Sequence, residues 1–313
     1  EGTGTHDLVL FDDAILEHVV THRTVVSVRR DFALGKIDDA PEIVGITLFS
    51  QKSVTIRREN ASALRGFGAT VLAGVRHIAE GKDHLLFVVI LLLTAPLVAH
   101  GKKWEGVRST KESLRAVLAV VSAFTIGHSL SLAACVLGGV RPPARVVETL
   151  VAASILVTAV HAIRPILRRE SVVSGLFGLV HGFAFGTTLA SFGFHGSTLA
   201  LALFGFNVGI ELMQLFAVGI AMPWILLLAR TPAAPIVRTA IAAFGIVASL
   251  GWIVARVLDH DNVVSTATDL LLGHTMIGMV ALAAVAVVLR FAFSPPKTGL
   301  RLSSSSCDPR CAS

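Results

Sequence analysis

From about residue 68 onward the chain alternates apolar runs with short polar loops. Most of the runs are near the ~20 residues needed to cross a ~30 Å hydrocarbon core. They fall near 71–98, 114–137, 145–163, 172–192, 199–229, 235–257 and 271–293. The pattern predicts an all-α polytopic membrane protein with about seven transmembrane helices. The first and fifth runs exceed the minimum length and predict tilted helices. Before the first run the pattern differs. Val25–Arg29, Ile46–Phe49 and Val54–Ile56 are short β-branched or aromatic stretches set between polar residues, as in strands. The expected organisation is a small β-containing extracytoplasmic region over 1–66, a helical transmembrane domain over 67–293 and a disordered tail over 294–313.

Composition narrows the class. The 313 residues are 53% hydrophobic and 15% charged, which excludes an ordinary soluble domain. Glu1 is not preceded by an initiator Met and starts no signal-peptide pattern, as in a processed form or a fragment. A formal charge of +6 could suggest nucleic acid, but the basic residues sit in short loops and form no stripe. The bilayer is the expected partner, and nucleic acid is not. Lys102, Lys103, Arg108 and Lys111 follow the first run, Arg164, Arg168 and Arg169 the third, and Arg230 and Arg238 the fifth. Asp259, Asp261 and Asp269 follow the sixth; Arg141 and Arg145 run against the trend. The positive-inside rule then predicts a multi-pass inner- or plasma-membrane protein with its N-terminus outside and its C-terminus in the cytoplasm. Cys135 lies in an apolar run and Cys307 and Cys311 in the tail, which gives no disulfide framework.

The candidate chemistry lies within the runs, where ionisable groups are costly unless paired or set in a wet cavity. His77, Asp83 and His84 open the first run. His128 lies in the second, Glu148 and His161 in the third, His181 in the fourth, and Asn207, Glu211 and Gln214 in the fifth. His84, His128, His181, Asn207 and Glu211 fall at matching depth on four predicted helices, with His161 lower and His274 near the outer end of the seventh. Imidazoles suit transition metals such as nickel, cobalt or zinc, and the absence of a Cys or Met cluster argues against Cu⁺. One straight helix would separate His77 from His84 by ~10 Å along its axis. Either the helix distorts at Gly81, or the two histidines serve successive positions, or each works with a different helix. His18 and His22 are read as a surface pair.

At these residues the chain resembles the HupE/UreJ family, in particular its second branch with an extracytoplasmic β-domain. The resemblance rests on His77-x-x-x-Gly81-x-Asp83-His84-Leu85-Leu86-Phe87, Phe124-Thr125-x-Gly127-His128-Ser129-Leu130, His181-Gly182-Phe183-Ala184-Phe185 and Phe206-Asn207-x-Gly209-x-Glu211. Ile78, Phe185 and Thr188 depart from the family's nickel-permease pattern, which has Pro, His and an acid there. The resemblance implies uptake of nickel or cobalt, with maturation proteins of metal enzymes as partners. Its expected metal ligands are His77 as outer capture group and Asp83, His84, His128, His181 and Glu211 at the midplane. Ser129, Asn207 and Gln214 would orient them. Three functions remain open: a divalent-metal permease, a metal-binding accessory or sensor protein, and an intramembrane metal-dependent hydrolase. A permease needs a path on both sides of the site, and His161 favours one. A hydrolase needs a lateral opening and an apolar seal on the cytoplasmic side. No Walker-type ATP motif is present, so an ion gradient, the membrane potential or a partner would drive transport.

Overall fold

The structure, a computed structural model, describes residues 7–11, 24–37, 41–47, 52–58, 60–190 and 194–273, with side chains omitted at 187–190. His18, His22, His274, Cys307, Cys311 and nearly all of the expected seventh run and tail lie outside these residues.

The N-terminal β region is present. Strands β1 (Leu8–Phe11), β2 (Thr24–Val28), β3 (Glu42–Thr47) and β4 (Ser53–Ile56) form two antiparallel pairs, β1 with β4 and β2 with β3. A buried fork joins Arg58 to Asp31, with Nη2–Oδ1 at 2.9 Å and Nε–Oδ2 at 2.8 Å. The region meets the first helix directly. The amide of Ser62 donates to Ala33 O, and Ser62 Oγ accepts from Arg65 N to cap helix α1 (Ala63–Glu80).

The first apolar run departs from expectation. It forms α1 and α2 (Lys82–Thr94), divided at Gly81, and ends before Pro96. A hairpin of β5 (Leu97–His100) and β6 (Lys103–Val107) follows, turning at Gly101 with φ 61°. The other helices are α3 (Thr110–Val136), α4 (Ala144–Ile163), α5 (Glu170–Ala190), α6 (Gly196–Ala229), α7 (Ala234–Leu258) and α8 (Val263–Leu272). Four of them, α3, α4, α6 and α7, are long and apolar enough to cross a membrane. The expected seven spans are not reached among the described residues. Gly81 splits the first run, α5 (Glu170–Ala190) is described with its side chains only as far as Gly186, and the seventh run lies almost wholly outside. Large apolar side chains face outward along the spans, among them Ile126 and Leu130 on α3, Phe204, Leu212 and Phe216 on α6, and Val247 and Val254 on α7. Such a surface suits lipid tails.

The helices pair as α3 with α5, α1 with α6 and α4 with α7. Past Lys82, Asp83 and His84, α2 is apolar all round and is buried among α4, α6 and α7. Glycines bring two of the pairs to backbone contact. A Cβ on Gly127 would collide with Gly175 O, and one on Gly178 with Phe124 O. Gly209 meets Val71 O and Gly74 meets Phe206 O in the same way between α1 and α6.

The basic loops gather at one end of the bundle. Arg108, Arg168 and Arg169 line one cavity there, and Arg230 Nη2 lies 3.3 Å from Thr110 Oγ1. The other end holds the β region, where Phe32 packs on Phe194 at 5.4 Å, and the Arg145–Asp259 ion pair at 2.5 Å.

Gly178→Val is expected to force α3 from α5 and to destabilise the protein by about 1–3 kcal/mol or more, as overpacked cores do. Leu176→Val, on the outward face of α5, should change little. Thermal unfolding in detergent checks both.

Candidate metal site

The site begins at the break in the first run. Gly81 adopts φ −72° and ψ 95°, leaving the helical path for one residue. Its amide still bonds His77 O at 3.1 Å, and Leu85 N bonds Gly81 O at 3.0 Å. A Cβ on Gly81 would stand 2.7 Å from His77 O and 2.8 Å from His84 Nδ1, closer than real Cβ atoms come. The bend cancels the axial offset of a straight helix. The rings of His77 and His84 lie 4.9 Å apart, centroid to centroid. Of the three options the sequence left open, distortion at Gly81 is the one realised.

Two further helices close on this bend. His128 on α3 and His181 on α5 are fully buried. The tight α3–α5 contact continues at Gly182, which abuts His128 O and Ser131 Oγ. Two groups of ligand atoms result, each within 4.8 Å: His77 with His84 and His128, and Asp83 with His84 and His181. His84 belongs to both. A metal–ligand bond of ~2.0–2.1 Å puts two ligand atoms at most ~4.2 Å apart, so a modest ring rotation completes either group.

The hydrogen bonds fix how the rings face. Asp83 Oδ1 lies 2.9 Å from His84 Nδ1 and accepts from His84 N at 2.9 Å. With Nδ1–H given to the carboxylate, Nε2 of His84 keeps its lone pair for the interior. His181 Nε2 lies 2.9 Å from Ser154 Oγ, and Ser154 Oγ donates to Val151 O at 2.7 Å. That hydroxyl proton is used, so His181 donates Nε2–H to Ser154 and presents the lone pair of Nδ1. Within this site the buried ring atoms left without a partner are His77 Nε2, His84 Nε2, both nitrogens of His128, and His181 Nδ1. Unpaired buried polar atoms cost about 1–3 kcal/mol each, and a cation removes that cost for each lone pair it takes, though not for the N–H that a neutral His128 keeps on its other nitrogen. The donor set, imidazoles with one carboxylate, fits a divalent transition metal.

Aromatic rings wall the site. Phe185 packs on His77 at 4.3 Å and stacks on Phe206 at 4.6 Å, so this departure from the permease pattern fills space beside a ligand. Phe124 lies 5.1 Å from His181. The side chain of Thr188 lies outside the described residues.

Other expected residues lie elsewhere. Glu211 is half-buried on α6 and in neither group. Ser129 Oγ bonds Asn207 Oδ1 at 2.7 Å, and Thr125 Oγ1 bonds Gln214 Oε1 at 2.9 Å. These pairs join α3 to α6. The residue that orients a candidate ligand is Ser154, which the sequence reading passed over. A lone Ser in an apolar run is ordinarily read as bonding a carbonyl one turn back. It does bond one, and its lone pairs remain free for His181. His161 proves structural. Its Nδ1 accepts from Ile166 N at 3.1 Å and Leu167 N at 3.2 Å, and Nε2 faces Glu170 Oε1 at 3.3 Å. Trp104 Nε1 donates to His161 O at 3.1 Å. The ring pins the α4–α5 loop, so it argues for no path.

The surroundings are asymmetric. On one side Asp83 lines a cavity of about 360 Å³ with Glu80, Lys82, Glu148, Trp252, Arg256 and Asp269. Toward the basic end the space is filled by Phe87, Ile90, Val121, Phe124, Ala221 and Met222.

This chain is a polytopic helical protein with two overlapping His/Asp groups able to hold a metal. The family described as HupE / UreJ protein matches residues 51–256, and the chain belongs to that family. Searches of curated proteins and of solved structures found no match.

Ser154→Ala is expected to weaken Ni²⁺ binding about 10–100-fold, the usual cost of losing a hydrogen bond behind a ligand. Ser129→Ala, which touches no ring of the site, should leave affinity unchanged. Titration calorimetry in detergent compares the two.

Proposed function

We propose that the chain is a divalent transition-metal permease, nickel first and cobalt or zinc next, with the ion as substrate. The observation that carries this reading is the pair of groups sharing His84, with unpartnered ring nitrogens facing one interior. Membership of a family associated with nickel and cobalt handling supports it. Asp83, His84 and His181 would hold the ion nearest the cavity. His77, expected at the mouth, would act deeper with His84 and His128. His84 would serve the His77 group through Nε2 with Asp83 behind it on Nδ1–H, and for the Asp83 group that hydrogen bond would have to give way, so passage between the groups breaks the Asp83–His84 bond. Glu211 belongs to the proposal only for a state in which α6 has moved. By the positive-inside rule the basic end is cytoplasmic and the β region outside.

A permease must also open toward the basic end, where apolar side chains fill the space. In alternating access that opening belongs to a second arrangement of the bundle. The same packing favours a second reading, an accessory protein, sensor or hydrolase that binds metal without flux.

Ligation requires neutral imidazole, so protons compete with the metal. Saturable Ni²⁺ binding is expected at about neutral pH, where imidazole can offer a lone pair. His84→Ala should abolish it, because both groups lose their shared member. His260→Ala, in the exposed loop before α8, should not. Titration calorimetry checks these points, and uptake into proteoliposomes under an imposed gradient checks flux. A wild type without saturable binding sinks the metal reading. Binding without flux moves the function to the accessory or hydrolase class.

A further inference from the structure

We infer that the cavity beside Gly81 is the entrance for the cation, and that two ion pairs across it, Arg256–Glu148 and Lys82–Asp269, set the rate of entry. This rests on the metal reading above and adds the route and the residues that control it.

The cavity adjoins α1, α2, α4, α5, α7 and α8, and its polar lining is Glu80, Lys82, Asp83, Glu148, Arg256 and Asp269. Asp83 is the link to the interior. It is 36% exposed on the cavity side and 2.9 Å from the nearly buried ring of His84. The unpartnered Nδ1 of His181, a fully buried residue, belongs to the same group. The cavity therefore reaches Asp83, and the buried lone pairs lie one residue behind that carboxylate.

Charge argues for water here. Four carboxylates and two bases line this one cavity, at the end of the bundle where α7 finishes. Ionised groups in lipid are costly, so such a set marks a water-filled mouth. The excess of two negative charges draws cations, and low-dielectric walls focus that field. The two bases limit it. Arg256 Nε holds Glu148 Oε2 at 2.5 Å, tying α7 to α4, and Lys82 Nζ lies 3.8 Å from Asp269 Oδ1, tying α2 to α8. All four side chains are 38–49% exposed, so the pairs are wet and easily exchanged. A divalent ion reaching Glu148 displaces Arg256, and the next carboxylate inward is Asp83.

The test is stopped-flow mixing of Ni²⁺ with the purified full chain, read by quenching of tryptophan, since Trp252 lines the cavity. Removing an acid and removing a base should act in opposite directions. Glu148→Gln should slow association roughly 3–10-fold and Arg256→Gln should speed it by a similar factor, within the range of electrostatic steering. Both effects should shrink as salt rises, and wild-type association should slow with salt. Arg168→Gln, at the opposite end, should leave the rate unchanged. Wild-type association independent of salt overturns the entrance, without relying on any variant's fold. Changes of the same sign in both variants, or none, overturn it too. A wild type that binds no Ni²⁺ overturns the metal reading itself.

Discussion

One backbone departure organises the interior: the single extended residue at Gly81. An unbroken helix would hold His77 and His84 ~10 Å apart and Asp83 on another face. The bend brings both rings within 4.9 Å of one another and leaves Asp83 hydrogen-bonded to His84. It can exist because no side chain occupies the space between His77 O and His84 Nδ1. Broken helices at membrane depth are tolerated where the freed backbone is satisfied or lines a cavity. Both conditions hold. The flanking amide bonds persist, and Gly81 itself lines the charged cavity.

The rest of the bundle turns that bend into a site. His128 and His181 come from α3 and α5, which meet through Gly127, Gly175, Gly178 and Gly182 at backbone distance. With larger residues there, the two histidines would stand too far apart to share an interior with His84. Side-chain bonds between α3 and α6, Ser129–Asn207 and Thr125–Gln214, then tie the α3–α5 pair to α6, which packs on α1 through Gly74 and Gly209. The polar residues thus divide into two kinds. Some hold helices to helices, and some present lone pairs to one space.

Much of this was legible from the chain, for physical reasons. Long apolar runs can only be buried in lipid or in a helical core, so α3, α4, α6 and α7 follow from hydropathy. Ionisable residues inside such runs must be accounted for, so His84, His128 and His181 stood out before any coordinates. What escaped depended on partners far apart in sequence. Glu211 had the chemistry of a ligand but lies in neither group, because depth along a helix does not fix its facing. Ser154 looked ordinary because its importance lies in the ring of His181, on another helix. The β5–β6 hairpin was hidden because Leu97–Ala99 continues an apolar run, with only Pro96 and Gly101 to mark the change. His161 carried a residue type associated with function, and its bonds to the α4–α5 loop consume it.

The interior carries an energetic cost that a bound cation would change. Five ring nitrogens without partners sit among phenylalanines. At about 1–3 kcal/mol for each unsatisfied buried group, the protein tolerates a substantial penalty to keep them unpaired. Glycine-mediated packing sustains that penalty, since the helices cannot separate to hydrate the rings without losing close backbone contact. A cation relieves the penalty on arrival. It also brings a double charge into a dry region, which the single carboxylate of Asp83 only half neutralises. A resident structural metal is better served by full neutralisation and four fixed ligands. Two incomplete groups share one histidine here, and one of their members, Asp83, also lines the charged cavity.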